Sequence, residues 1–404
     1  PADGATNIVV GVTIDWNAVS ASQAYQLQVD QVGTFNSPAM QLVTKGYINS
    51  SSANTDTQHN FGNLRFGQTY HWRVRAYIAG DTSAWSPTRT FTTLDGVTLA
   101  TNDGANYWVG ITLDWNAHMG VSFYDLQADT SLGFNSPALK QSTDGYINSS
   151  SANTDTDEYL PNLFFGKTYY WRVRVRNAVD TSSWSGPRSF TTRDYVTMSL
   201  PTNGSTVWTG VTLDWTTHVG VGFYDMQADT TPNFNSPALR QSTDGYINSS
   251  SSNTDTDEFL TNLYFGKTYY WRVRARNAVD TCAWSTPWTF TTRDEVVMSS
   301  PSTGTNWWAG INLDWSTHLG VSFYDMQADT VNTFNSPALR QSTDGYINSS
   351  SSNTDTDEYL TNIYFGKTYY WRVSARNAVD TSAWATPWNF STRDYVALSS
   401  PADN

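Results

Sequence analysis

The feature that most constrains this chain is its self-similarity at a spacing of about a hundred residues. VTIDW at 12–16 returns as ITLDW at 111–115, VTLDW at 211–215 and INLDW at 311–315. GYINSSS starts at 46, 145, 245 and 345, and TYHWRVRA at 69–76 returns as TYYWRVRV, TYYWRVRA and TYYWRVSA. A unit of that length is a self-contained domain rather than one turn of a solenoid. The chain divides into repeats at 1–94, 95–193, 194–293 and 294–393, with a tail at 394–404.

Within a repeat the apolar period is two, not 3.6. In TYYWRVRAR at 268–276, Tyr269, Trp271, Val273 and Ala275 share one face, and Tyr270, Arg272, Arg274 and Arg276 the other. Val211, Leu213 and Trp215 point one way, Thr212 and Asp214 the other. Gly, Pro, Asn and Asp separate such runs, and no ten-residue segment carries a helical stripe. Six or seven short antiparallel strands per hundred residues predict an all-β chain of four tandem two-sheet sandwiches. The pattern places Trp16, Trp115, Trp215 and Trp315 in the cores beside Trp72, Trp171, Trp271 and Trp371. With 18 Trp, 23 Tyr and 18 Phe, the apolar material for four cores is present.

These residues resemble bacterial fibronectin type III domains. Trp115 takes the place of the family's inward strand-B Trp, and Tyr169, Trp171 and Val173 that of its strand F. Asn162-Leu163 before Gly166 is similar to the Leu-x-Pro-Gly turn, with Phe165 where Pro is common, and Trp184 and Phe190 match the last strand. The resemblance spans all four repeats. It implies the sandwich fold, and for function it implies spacer, adhesive and interaction modules rather than one activity. The polar insertion QSTDGYINSSSxNTDTDE in repeats 2 to 4 departs from the common pattern.

A formal charge of −13 argues against nucleic acid or an anionic membrane surface as a partner. No apolar run of eighteen residues is present, so no membrane insertion is expected. One Cys excludes an internal disulfide framework; Cys282 stands where other repeats carry Ser83, Ser182 and Ser382, and reads as a semi-buried small residue. Without an initiator Met or an apolar leader, the sequence reads as a mature or trimmed form. Little Lys and much Asp, Asn, Ser and Thr point to an extracellular or cell-surface protein, bacterial by the resemblance.

Catalytic chemistry is not expected. His118, His218 and His318 follow strand B in DWxxHxG as loop residues, with no repeated nucleophile near them and no acid–base pair outside the insertion. In the insertion, Asp144, Asp155 and Asp157 have counterparts in Asp244, Asp255, Asp257 and Asp344, Asp355, Asp357. Oxygen ligands at this spacing make Ca²⁺ a candidate cofactor; the competing reading is a polar loop bonding its own backbone. Asn49, Asn148, Asn248 and Asn348 each open an Asn-Ser-Ser sequon, so covalent glycan is the second candidate. Outward Arg272 and Arg274 are expected to stack on Trp284 and Trp288, and Trp108, Trp208, Trp307 and Trp308 fall near the junctions between repeats.

The segments 95–100, 194–200 and 294–300 are read as strand A of repeats 2, 3 and 4. Repeat 1 begins at Pro1, which aligns with Pro201 and Pro301, and lacks such a segment; Tyr395, Val396, Ala397, Leu398, Ser399 and Ser400 form one with no sandwich after it. An open sheet edge and an unpaired apolar strand are both unfavourable in water. Both are relieved if the tail of one molecule completes repeat 1 of the next. The expected function is therefore a structural subunit of an extracellular filament, a head-to-tail homopolymer made by donor-strand complementation. The competing expectations are a monomeric adhesin or carbohydrate-binding array displaying the GYINSSS loops, and an accessory region of a secreted hydrolase.

Overall fold

The computed structural model describes residues 1–20, 22–43, 57–78, 80–142, 156–242, 256–342 and 356–396. Two compact units, Pro1–Asp194 and Tyr195–Asn404, hold two repeats each. Every element named below is a strand.

Repeat 1 runs β1 (Ala5–Ile8), β2 (Val12–Asp15), β3 (Ala24–Asp30), β4 (Gln41–Val43), β5 (Gln58–Phe61), β6 (Thr69–Ile78), β7 (Asp81–Thr82) and β8 (Arg89–Thr93). One sheet has the order β1-β8-β6-β3-β4, with β7 on β6, and the other is the pair β2-β5. The third repeat keeps this plan in its larger sheet, where Ser205–Val207, Trp288–Thr292, Thr268–Arg276, Phe223–Asp229 and Arg240–Ser242 lie side by side. Its smaller sheet has three strands, Met198–Leu200, Val211–Trp215 and Asp257–Leu260. The fourth repeat repeats this arrangement.

The alternation read from the sequence is the alternation of burial. Along Thr268–Arg276 the inward positions Tyr269, Trp271, Val273 and Ala275 are buried, while the arginines are partly exposed. The Tyr269 ring stacks on Phe290 at 5.4 Å, and its hydroxyl accepts the Tyr264 N–H at 3.0 Å. That bond ties the turn before the long strand to the core, the tyrosine corner of immunoglobulin-like sandwiches. Burial pushes the Tyr269 phenol up to about 12.

Two expectations need correction. Not all pairing is antiparallel: β1 runs parallel to β8, and Ala105–Tyr107, Ser205–Val207 and Thr305–Trp307 do the same in their repeats. The four strand-B tryptophans are not equivalent either. Trp115, Trp215 and Trp315 are buried, but Trp16 is only half-buried. The cause is a difference in the smaller sheet. Met198 pairs with Trp215, Met298 with Trp315, and Leu99 forms a bridge to Trp115. Among the described residues no strand pairs with the outer edge of β2, so Trp16 keeps one side open.

Candidate assembly site

The open side of repeat 1 is a groove of about 620 Å³ lined by residues that include Trp16, Trp72, Val74, Ser86, Asp15 and Arg89. The corresponding positions of the third repeat show what such a groove holds. There Met198 is buried against the sheet, and the Ser285 hydroxyl, which accepts the Val273 N–H at 3.0 Å, lies 3.3 Å from the Met198 sulfur. In repeat 1, Ser86 makes the same bond to the Val74 N–H at 3.1 Å, and its hydroxyl turns to the Pro87 carbonyl. Val173, Val273 and Val373 are fully buried, whereas Val74 is half-buried. The groove thus combines the Trp16, Trp72 and Val74 side chains with the Ser86 hydroxyl and the polar Asp15, Asn17 and Arg89.

The residues that fill this position elsewhere alternate inward. Val196 and Met198 are 4% and 6% exposed, Val296 and Met298 5% and 7%. Of the six tail residues expected to form a donor strand, Tyr395 and Val396 lie within the described residues and Ala397, Leu398, Ser399 and Ser400 outside them. Val396, the counterpart of Val196, is 80% exposed, and Tyr395 lies edge-on to Trp308 with centroids 6.4 Å apart.

The other candidate residues fall mostly elsewhere. Asn49, Asn148, Asn248, Asn348, Asp144, Asp155, Asp244, Asp255, Asp344 and Asp355 lie outside the described residues. Asp157, Asp257 and Asp357 open the strand after the loop, each opposite a second carboxylate: Asp114, Asp214 and Asp314. Asn312 Nδ2 donates to Asp314 at 3.1 Å and Asp357 at 3.0 Å. Burial, with the Asp357 charge added, raises the Asp314 carboxyl above its ordinary value. Among the described residues no group of three or more His, Cys, Asp or Glu side chains gathers as a metal site.

The arginine ladder forms in a different pattern from that expected. Arg272 and Arg274 both stack on Trp284, at 4.6 and 4.5 Å, and Arg272 also covers Phe234 at 3.9 Å. Trp288 instead packs edge-on to the core Trp271.

The histidines are not simple loop residues. His318 is buried, its ring 3.7 Å from that of Trp208 in the preceding repeat. Its Nδ1 pairs with the Tyr324 hydroxyl at 2.8 Å, and Nε2 accepts the Val297 N–H at 3.3 Å. Burial, with Arg293 nearby, pushes its pKa down to about 4. This contact belongs to a junction that recurs. In the second unit, Gly210 N–H donates to the Leu319 carbonyl at 2.8 Å, Phe265 N–H to Asp380 Oδ2 at 2.9 Å, and Asn377 Nδ2 to the Leu263 carbonyl at 2.8 Å. In the first unit, Gly11 donates to Met119, Phe66 to Asp180 and Asn177 to Leu64, at 3.0, 2.9 and 2.8 Å. The backbones meet so closely that a Cβ on Gly320 would lie 2.1 Å from the Gly210 nitrogen. The phenylalanine before the turn glycine is the knob of this junction: Phe265 is part of the fourth repeat's core cluster.

Strand order and tyrosine corner define a fold class: tandem immunoglobulin-like β-sandwiches. Residues 13–94 match the family described as the Rha78A-like, N-terminal immunoglobulin domain. Among solved structures the chain is similar to the FN1–FN3 domains of chicken CNTN1, with 17% identity over 74% of this chain and 99% of that one, at a TM-score of 0.22. The fold assignment rests on the family match, the strand order and the internal repeats. No curated protein matches the chain. No helix among the described residues is long and apolar enough to cross a membrane.

Proposed function

We propose that this protein is a structural subunit of an extracellular filament, joined head to tail when residues 395–400 of one copy enter the groove of repeat 1 in the next. The observation that carries the reading is the match between site and segment. The groove exposes Trp16 and Val74 at positions that Met198 and its strand cover in the third repeat, and the tail sequence has Val396, which is exposed, and Leu398 where the third repeat has Val196 and Met198. Main-chain hydrogen bonds along β2 supply affinity, and pockets for Val396 and Leu398 supply specificity. Donor and acceptor surfaces differ, so the contact is heterologous and repetition makes an open fibre rather than a closed ring. Immunoglobulin-like repeats are typical of extracellular proteins, which supports the placement outside the cell.

The test is assembly of the full chain against a variant lacking 394–404, followed by sedimentation and electron microscopy. Filaments from the full chain and monomers from the shortened one are expected. Filaments of the same form from the shortened chain would sink the proposal, and monomers from both would favour the adhesin array.

A further inference from the structure

The internal junctions carry a second pair of surfaces, and the corresponding surfaces of repeats 4 and 1 are exposed among the described residues. At the end of repeat 4, Phe365 is 61% exposed, whereas Phe265 at the same place in repeat 3 is 3% exposed and sits in the core of the following repeat. Trp308 is exposed too, although its counterpart Trp208 meets His318. At the start of the chain, Asp81 occupies the position of Asp380. Its Oδ1 accepts the Thr82 N–H at 2.7 Å, as Asp380 Oδ1 accepts Thr381 at 2.9 Å, so the carboxylate is held in the orientation that lets Asp380 Oδ2 receive the Phe265 N–H.

The rest of the repeat 1 surface differs from that of an internal repeat, and in one direction. Val19 stands where repeats 2 to 4 have His, and Ile78 where they have Asn. The exchange keeps the local backbone: Val19 N–H bonds the Tyr25 hydroxyl at 2.8 Å, as His318 N–H bonds Tyr324 at 2.9 Å. Both replacements are exposed apolar side chains, 53% and 45%. Ala21 takes the sequence position of Gly320, where a Cβ would not fit an internal junction. This end therefore cannot rebuild the glycine–glycine contact and the Asn–carbonyl bond, but it retains the acceptor carboxylate and gains apolar area.

We infer that the exposed Phe365–Trp308 surface docks on the Val19, Ile78 and Asp81 surface of a second copy of this chain, as a second anchor beside the donor strand. This rests on the strand-donation reading above. The occupant is another copy because the two surfaces complement each other: an apolar knob, whose N–H corresponds to the one Phe265 donates to Asp380, meets an apolar rim with an exposed carboxylate. An internal repeat would meet the same knob with His and Asn. The joint between copies is consequently made differently from the joints within a copy: it has two anchors, strand and knob, and no glycine contact.

The experiment compares full-length wild-type chain with Phe365→Ala, with Asp81→Asn and with the pair. Each substitution is at an exposed position, so unchanged thermal unfolding reports an intact fold. Two readouts are taken: binding of a synthetic 394–404 peptide to each chain, and the concentration at which chains associate. Peptide affinity is expected to be the same for wild type and Phe365→Ala, because the peptide carries no Phe365. The association concentration should rise roughly ten- to hundredfold in Phe365→Ala, as loss of a buried Phe implies. Unchanged association in Phe365→Ala with normal peptide binding overturns the inference and leaves strand donation standing. Peptide that fails to bind while Phe365→Ala still weakens association overturns strand donation and leaves the knob as the joint. Wild-type chain that stays monomeric although the peptide binds assigns the surface to a different occupant and overturns the inference.

Discussion

Replacing Val396 by Asp separates the assembly role of the tail from its fold. In the isolated chain Val396 is 80% exposed, so the substitution leaves repeat 4 as stable as before. In a filled groove it takes the position of Val196 and Val296, which are 4% and 5% exposed. Removing a buried Val forfeits about 1.5–3 kcal/mol, and a carboxylate placed in an apolar slot adds a desolvation cost of similar size or more. Together these weaken the joint by on the order of 3–5 kcal/mol, roughly a hundredfold or more in association constant. Sedimentation velocity across a dilution series measures the shift, and thermal unfolding of the same samples checks the fold. The internal control is Val296→Asp, which puts the charge into a closed core and should unfold repeat 4. A Val396→Asp chain that assembles at the wild-type concentration would refute the reasoning.

Other consequences concern the repeats themselves. Truncating the fully buried Trp271 to Ala should cost about 3–5 kcal/mol in denaturant unfolding, as a core cavity. His318 is held neutral, its pKa lowered to about 4 from 6.5 in an open chain, so between pH 6.5 and 4 the unfolded state binds a proton that the folded state does not. Stability of the second unit is fully present above pH 6.5 and should fall by about 2–3 kcal/mol as pH drops through that window; His318→Gln, followed by urea titration, should flatten the dependence. Gly320→Ala places a Cβ 2.1 Å from the Gly210 nitrogen at a φ of +84°, and should loosen the joint between repeats 3 and 4, read as faster proteolysis there. If Asn148, Asn248 and Asn348 carry glycan, intact mass of native material exceeds the sequence mass; if the loops hold calcium, EDTA lowers the unfolding temperature, and bare mass with an unchanged temperature would remove both candidates.

Much of the sandwich was legible because it is local. Tyr269, Trp271, Val273 and Ala275 face inward for the reason their period of two announces, and the Met198 and Met298 strands lie where their apolar residues precede a turn. What escaped the sequence depends on neighbours distant in the chain. The parallel pairing of β1 with β8 joins residues more than eighty positions apart. Trp16 carries the same motif as Trp215, yet its burial is set by whether a strand lies across it. His318 looked like a loop residue because its partners, Trp208 and Val297, belong to the preceding repeat and to the strand leading into its own. Phe265 and Phe365 occupy corresponding turns, yet Phe265 is buried in the fourth repeat's core cluster while Phe365 is exposed, a difference set by what packs against each and not by the local sequence. The one available signal was Phe where the related turn commonly has Pro.

The central claim is that the tail lies along β2 of another copy, and a register-specific disulfide tests it most directly. Leu200 pairs with Asp214 in the third repeat, so Ser400 is expected opposite Asp15 in the joint. Cys282, buried and single, is first changed to Ser, the residue at that position in the other repeats. Ser400→Cys with Asp15→Cys, oxidised gently and run without reductant, should then give a ladder of covalent multimers, since paired positions meet the Cα separation a disulfide needs. Either cysteine alone should stop at dimers. A double-cysteine chain that gives no species beyond those of the single-cysteine controls would contradict the account.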